Sequence, residues 1–88
     1  MQIDFEIIGQ RLKQARKAKE YSQAYVAEQL DISVVYLSRV ERGASKINLK
    51  RLSELCDLLE VSMREILTGV ERGPKQYLNE ELYDIIIQ

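Results

Sequence analysis

Histidine is absent from this 88-residue chain, and cysteine and proline each occur once. Without an imidazole, nucleophile–histidine catalysis is impossible, and the usual cysteine/histidine zinc sites are excluded with it. One cysteine cannot close an internal disulfide, so a metal-free protein of the reducing cytoplasm is expected, with no cofactor. Long apolar runs are missing as well. No stretch approaches the roughly 20 residues of a membrane span. The opening MQIDFEIIG has an acidic lead and no long apolar core, so no export signal is expected. Nor do the acids Glu41, Glu54, Asp57, Glu60 and Glu65 form a paired arrangement in an evident cleft, as general acid–base work would require. No enzyme is expected.

What remains is ample for a folded domain. Apolar residues make up 45% of the chain and charged residues 31%, which excludes a disordered chain and, at this length, gives one domain with a single core. The net charge of −1 conceals a division. Residues 1–50 hold nine Lys/Arg against six Asp/Glu, whereas residues 51–88 hold four against eight. Screening confines each charge to about 8 Å at physiological salt, so the local balance governs contact with phosphates. A basic first half and an acidic second half fit a domain that touches DNA on one side only.

Hydrophobic spacing predicts helices throughout, with no β pattern and no internal repeat. Phe5, Ile8, Leu12 and Ala15 recur at helical spacing and give a first helix over roughly residues 5–19, with Asp4 as its cap. A second helix covers about 23–30 and a third about 34–41, followed by a polar loop from Gly43 to Ile47. Asn48 caps a fourth helix whose stripe Leu49, Leu52, Cys56 and Leu59, widened by Leu55 and Leu58, faces the core. A thiol in that stripe reads as buried. Ser62 and Glu65 have the spacing of a capping box for a short fifth helix ending at Thr68-Gly69. Val70 to Pro74 reads as a connector. Beyond it the chain turns apolar again, and Asn79 can cap a helix over about 80–88. A helix so short is marginal alone in water, so it must dock on this domain or on a second copy.

The densest signal lies between Tyr21 and Gly43, YSQAYVAEQLDISVVYLSRVERG. Ser22 caps a helix in which Ala27 is small enough for a close crossing, Asp31-Ile32-Ser33 makes a three-residue turn, Ser33 caps the next helix and Gly43 stops it. Tyr21 and Val26 occupy the two positions of a hydrophobic staple around the Ser22 cap. Such a bihelical unit, in a small domain without catalytic residues, serves to set one helix into the major groove of DNA. The run Ser22-Gln23, Ala27, Ile32-Ser33, Tyr36-Leu37-Ser38, Val40-Glu41-Arg42-Gly43, preceded by IGQRLKQARKAKEYSQ and followed by NLKRLSELCDLLEVSMREIL, resembles the Cro/repressor-type (XRE) helix-turn-helix family over about residues 7–69. The resemblance implies an all-α, lambda-repressor-like five-helix domain, here residues 1–69, that binds duplex DNA, usually as a dimer. Residues 70–88 lie outside it as a connector and apolar tail.

Site residues follow from this placement. Arg39, on the outer face of the third helix, can meet guanine O6 and N7 with two hydrogen bonds, worth about 1–3 kcal/mol of discrimination; Ser38 beside it can bond a base edge or a phosphate. Val34 and Val35 stand where the family commonly has polar base readers. Either they pack on thymine methyl groups, or one turns inward and the other is merely exposed. By the same resemblance Gln23 bonds a DNA phosphate, although its amide also suits a purely local role at the helix N-terminus, and Ser22, a structural cap, stands at a position that resembles a backbone contact. Tyr36 offers either its hydroxyl to a phosphate or its ring to the core edge. Arg42, Lys46 and Lys50 surround the loop after the third helix as phosphate contacts, which fix register without reading sequence. The resemblance also implies an ion pair between Arg16 and Glu41, and it shows Asp31 where a glycine is often found.

The expected function is that of a cytoplasmic, sequence-specific regulator of transcription, a repressor that binds an inverted repeat as a homodimer. The tail residues Leu82, Tyr83, Ile85, Ile86 and Ile87 would form the dimer contact. Two alternatives stand beside this reading. One is an antitoxin whose apolar tail binds a toxin partner, and the other is a protein-interaction module with a vestigial DNA surface.

Overall fold

Each helix begins where a small polar side chain turns back onto the backbone. In the computed structural model, which describes residues 2–72, the Asp4 carboxylate accepts from the N–H groups of Glu6 and Ile7 at 3.1 and 3.2 Å and opens α1, Phe5–Ala18. Ser22 accepts from Tyr25 N–H at 3.0 Å to open α2, Gln23–Leu30. Ser33 does the same from Tyr36 at 2.9 Å for α3, Val34–Glu41. Asn48 accepts from Arg51 at 2.8 Å for α4, Leu49–Leu59, and Ser62 from Glu65 at 3.0 Å for α5, Met63–Leu67. Each such cap is worth about 1 kcal/mol against alanine. Asp31 and Glu60 close α2 and α4 in the left-handed region, at φ 55° and 57°, so Asp31 does fill the turn position at which the family often has glycine.

The core lies where α1 crosses α3 and reaches α4 and α5. Leu12, Val26, Leu37, Val40, Leu52 and Leu55 are its largest fully buried side chains. Long cations finish the packing at helix ends, where carbonyls lack intrahelical partners. Arg11 of α1 donates to the carbonyls of Ile66 at 3.0 Å and Thr68 at 2.6 Å, which closes the end of α5. Arg51 of α4 donates to Leu30 O at 3.3 Å and pairs with Glu54 at 2.9 Å.

The first five predicted helices are present, α1 one residue shorter than expected. Two features depart from the sequence pattern. Leu49, expected in the core stripe of α4, is 69% exposed. As the first helical residue it overhangs the core, and Ile47, expected in a polar loop, is buried just before it. The second departure is a minimal sheet. β1 (Gln2–Ile3) pairs antiparallel with β2 (Glu71–Arg72), Gln2 opposite Arg72. Beside it, Asp4 N–H donates to Val70 O at 2.7 Å, and Val70 is buried. Two-residue strands have too short a period to stand out in a sequence. Among the described residues no helix is long and apolar enough to cross a membrane. The predicted tail helix and its contact residues Leu82, Tyr83, Ile85, Ile86 and Ile87 lie outside the described residues.

Candidate nucleic-acid interface

α3 buries Leu37, Val40 and Glu41, the spacing of a single helical face. Its other face is open. Val34 is 43% exposed and Val35 62%, so neither turns inward. Arg39 is exposed and Ser38 half-buried. Val35, Ser38 and Arg39 stand three and four residues apart and therefore share this outer face.

Glu41 is a carboxylate inside the protein, and its partners fix α3 to both neighbouring helices. Arg16 Nε donates to Glu41 Oε2 at 2.6 Å and Nη2 to Oε1 at 3.0 Å, a two-pronged pair between α1 and α3. The third guanidinium nitrogen, Nη1, donates to Tyr21 O at 2.9 Å. Gln23 Nε2 donates to Glu41 Oε1 at 2.9 Å, which ties in the start of α2. The ion pair implied by the family resemblance is thus present, with a glutamine added that the sequence reading had reserved for phosphate. A charge removed from water needs such complete pairing.

Gly9 sets the distance between α1 and α3. A Cβ built there would lie 2.2 Å from Val40 O and 2.7 Å from Glu41 O, so only hydrogen fits between the two backbones. Gly43, at φ 75°, ends α3 against α1, and a Cβ there would lie 2.5 Å from Glu6 Cα. Sequence reading assigned a close crossing to Ala27 and missed Gly9, although a lone glycine within a helical pattern was the available signal.

Around α3 the remaining predicted side chains fall as follows. Ser22 caps α2 and is exposed, and the Tyr21 ring lies 4.7 Å from that of Tyr25. The Tyr36 ring packs against the core edge. Arg42, Lys46 and Lys50 are exposed; like Arg39, none of them forms an ion pair among the described residues. Four of the exposed cations without an ion pair thus stand together on α3 and the loop and helix start that follow it, while Lys13 and Lys17 on α1 and Arg64 on α5 are exposed elsewhere.

The HTH_3 helix-turn-helix family model matches residues 12–66 of the chain. SinR, an HTH-type transcriptional regulator of Bacillus licheniformis, is 37% identical over 72 residues, covering 81% of this chain and 63% of that protein. The chain spans between 56% and 65% of the length of three curated relatives. Among solved structures, the clp gene regulator ClgR from Corynebacterium glutamicum is similar with a TM-score of 0.71 and 29% identity, over 75% of this chain and 85% of that one. The restriction-modification controller protein C.AhdI from Aeromonas hydrophila gives a TM-score of 0.67 and 33% identity over 72% and 96%. Five capped helices, a solvent-facing α3 locked from behind and the matched span agree, and the chain belongs to the XRE-type helix-turn-helix family of DNA-binding transcriptional regulators, which are not enzymes.

Proposed function

We propose that the chain is a sequence-specific repressor that reads an inverted-repeat operator as a dimer, with α3 in the major groove. The observation that carries this reading is the exposed Arg39 face of a helix whose buried face is immobilised by Arg16, Glu41 and Gln23. A reader must hold its donors fixed while they replace water at a base edge, and the buried network supplies that rigidity. In this reading Arg39 meets a guanine through O6 and N7, Ser38 bonds a neighbouring base or phosphate, and Val34 and Val35 line the opening of the helix against the bases.

Phosphates are taken from both sides of α3. The Ser22 hydroxyl accepts from Tyr25 N–H and keeps its own proton for a phosphate oxygen, and the Gln23 amide, although bound to Glu41, has a second N–H to give. Tyr36, Arg42, Lys46 and Lys50 make the clamp on the other side. Two copies about 34–36 Å apart would engage successive major grooves, joined through Leu82, Tyr83, Ile85, Ile86 and Ile87. Sedimentation equilibrium of chains with and without residues 74–88 tests that joint, and a monomer mass for both removes it.

The decisive experiment is selection of bound duplexes from a randomised pool at about 0.15 M salt, where screening is near physiological. An enriched inverted repeat is expected, and Arg39→Ala should lose preference at one base pair of each half-site while its melting curve is unchanged. Failure to enrich any sequence would overturn the reading.

A further inference from the structure

The outer face of α3 is chemically divided. Its first two residues, Val34 and Val35, are exposed, adjacent and apolar, and its cation, Arg39, follows Val35 by one helical turn. Neither valine has a duty in the core, which α3 meets through Leu37, Val40 and Glu41 with the Tyr36 ring at its edge. Valine is also a poor helix former, so exposed helical sites give it no intrinsic reason to be there. What it does offer is a branched apolar surface held in few rotamers.

Few features of a base edge are complementary to that surface. In the major groove guanine presents two acceptors, adenine an acceptor and a donor, and cytosine a donor. Thymine alone adds a methyl group, at C5. Against any of the polar groups a valine would strip water and return no hydrogen bond. Against a C5 methyl it buries apolar surface. Methylated cytosine presents the same C5 methyl in the same place.

We propose that Val34 and Val35 make α3 a reader of 5-methylpyrimidines, thymine or 5-methylcytosine. The methyl lies in the same half-site as the guanine met by Arg39, on the side of the N-terminal end of α3, since Val35 and Arg39 are one helical turn, roughly 6 Å, apart on one face. The inference rests on the operator reading above and deepens it by naming the chemistry recognised at the opening of the helix.

The test uses the full chain and the duplex enriched from the randomised pool, remade with deoxyuridine in place of each thymine in turn. Loss of the methyl at one or two positions per half-site should weaken binding about fourfold each, the scale set by burial of one methyl-sized group, and other positions should be indifferent. Val34→Ser and Val35→Ser should abolish that sensitivity with melting curves unchanged, because both side chains are exposed. A parallel duplex carrying cytosine or 5-methylcytosine at the same positions separates the two sources. Strengthening by cytosine methylation where deoxyuridine is neutral assigns the methyl to 5-methylcytosine. An enriched duplex indifferent to both changes, or a methyl effect that survives both serine substitutions, overturns this inference alone. A pool with no enriched duplex overturns the operator reading and this inference with it.

Discussion

Removing the Glu41 carboxylate would show how firmly the reading helix is held. Glu41→Ala leaves the Arg16 guanidinium buried, with the bond to Tyr21 O as the one that remains of its three. The side chains of the pair are only 9% and 3% exposed. Stripping one partner from a buried pair costs about 3–5 kcal/mol, because the other charge is left without water or counter-charge. The more accessible pair of Arg51 and Glu54, with side chains 34% and 39% exposed, should cost less than about 1 kcal/mol to break. Small domains hold only about 5–15 kcal/mol of stability in total, so Glu41→Ala consumes a large share of it. Arg16→Ala should behave alike, since it leaves Glu41 with the Gln23 amide alone. The double variant Arg16→Met/Glu41→Leu buries no charge and should lie well above either single variant. Urea unfolding at pH 7, followed by far-UV circular dichroism on all four chains, compares the unpaired charge with the uncharged pair directly. Single variants that lose under about 1 kcal/mol would show that water reaches the pair. A double variant that loses the sum of the singles, or does not fold, would refute the argument that unpaired charge is what the single variants suffer.

Three further outcomes are expected. Gly9→Ala should cost about 1–3 kcal/mol in the same unfolding assay despite the better helix propensity of alanine; a neutral result would mean that α1 and α3 are not in backbone contact. Lys46→Ala should weaken binding to all duplexes alike and flatten the plot of log affinity against log salt by about 0.9 for each phosphate no longer neutralised, whereas an unchanged slope removes Lys46 from the interface. The Cys56 thiol is pushed above its ordinary value of 9.0 by burial, with Asp57 and Glu65 adding to the effect. The unfolded thiol therefore ionises first, so its contribution to stability is complete below about pH 9 and declines as pH rises further. Cys56→Ala should flatten that alkaline decline, and an identical pH profile in the variant would count against it.

The helices were legible because their determinants are local. Asp4, Ser22, Ser33, Asn48 and Ser62 cap within three residues of themselves, and apolar spacing marks the buried faces between the caps. Bonds made across the fold were not legible in that way. Arg11 caps α5 from α1 and Arg51 reaches the end of α2, yet a solvated cation has the same local pattern. Gly9 looked like any helical glycine until Val40 O was placed against it. Leu49 was misread because a stripe continues on paper past the point where the neighbouring helices stop. At the interface, Arg39 was placed correctly on the exposed face of α3. Sequence could not settle the orientation of Val34 and Val35, because an apolar residue at a helix start fits a core edge and an exposed surface equally well. Gln23 was assigned outward by resemblance, and the carboxylate that holds it lies 18 residues away.

The disposition of the cations explains why a net charge of −1 is compatible with a phosphate-binding surface. Arg16 is spent on Glu41, Arg11 on the carbonyls of α5, and Lys19 on Glu60 at 3.2 Å. Those three belong to the basic first half of the sequence, so its charge excess counts residues already engaged within the domain. The other six of that half, Lys13 and Lys17 on α1 and Arg39, Arg42, Lys46 and Lys50 on and after α3, stand exposed without an ion pair among the described residues, and the last four share the neighbourhood of α3. In the proposed reading phosphate contact falls to these four, because a screening length of about 8 Å lets near charges outweigh far ones at α3. On the proposed reading, stability and recognition draw on different cations. Loss of a partnered cation should lower the unfolding free energy and spare base preference in whatever fraction remains folded. Loss of one of the four beside α3 should do the reverse. A cation whose removal moves both quantities together would show that the two sets are joined, and the Gln23 amide, at the start of α2 and bonded to Glu41, is the place to look for such a joint.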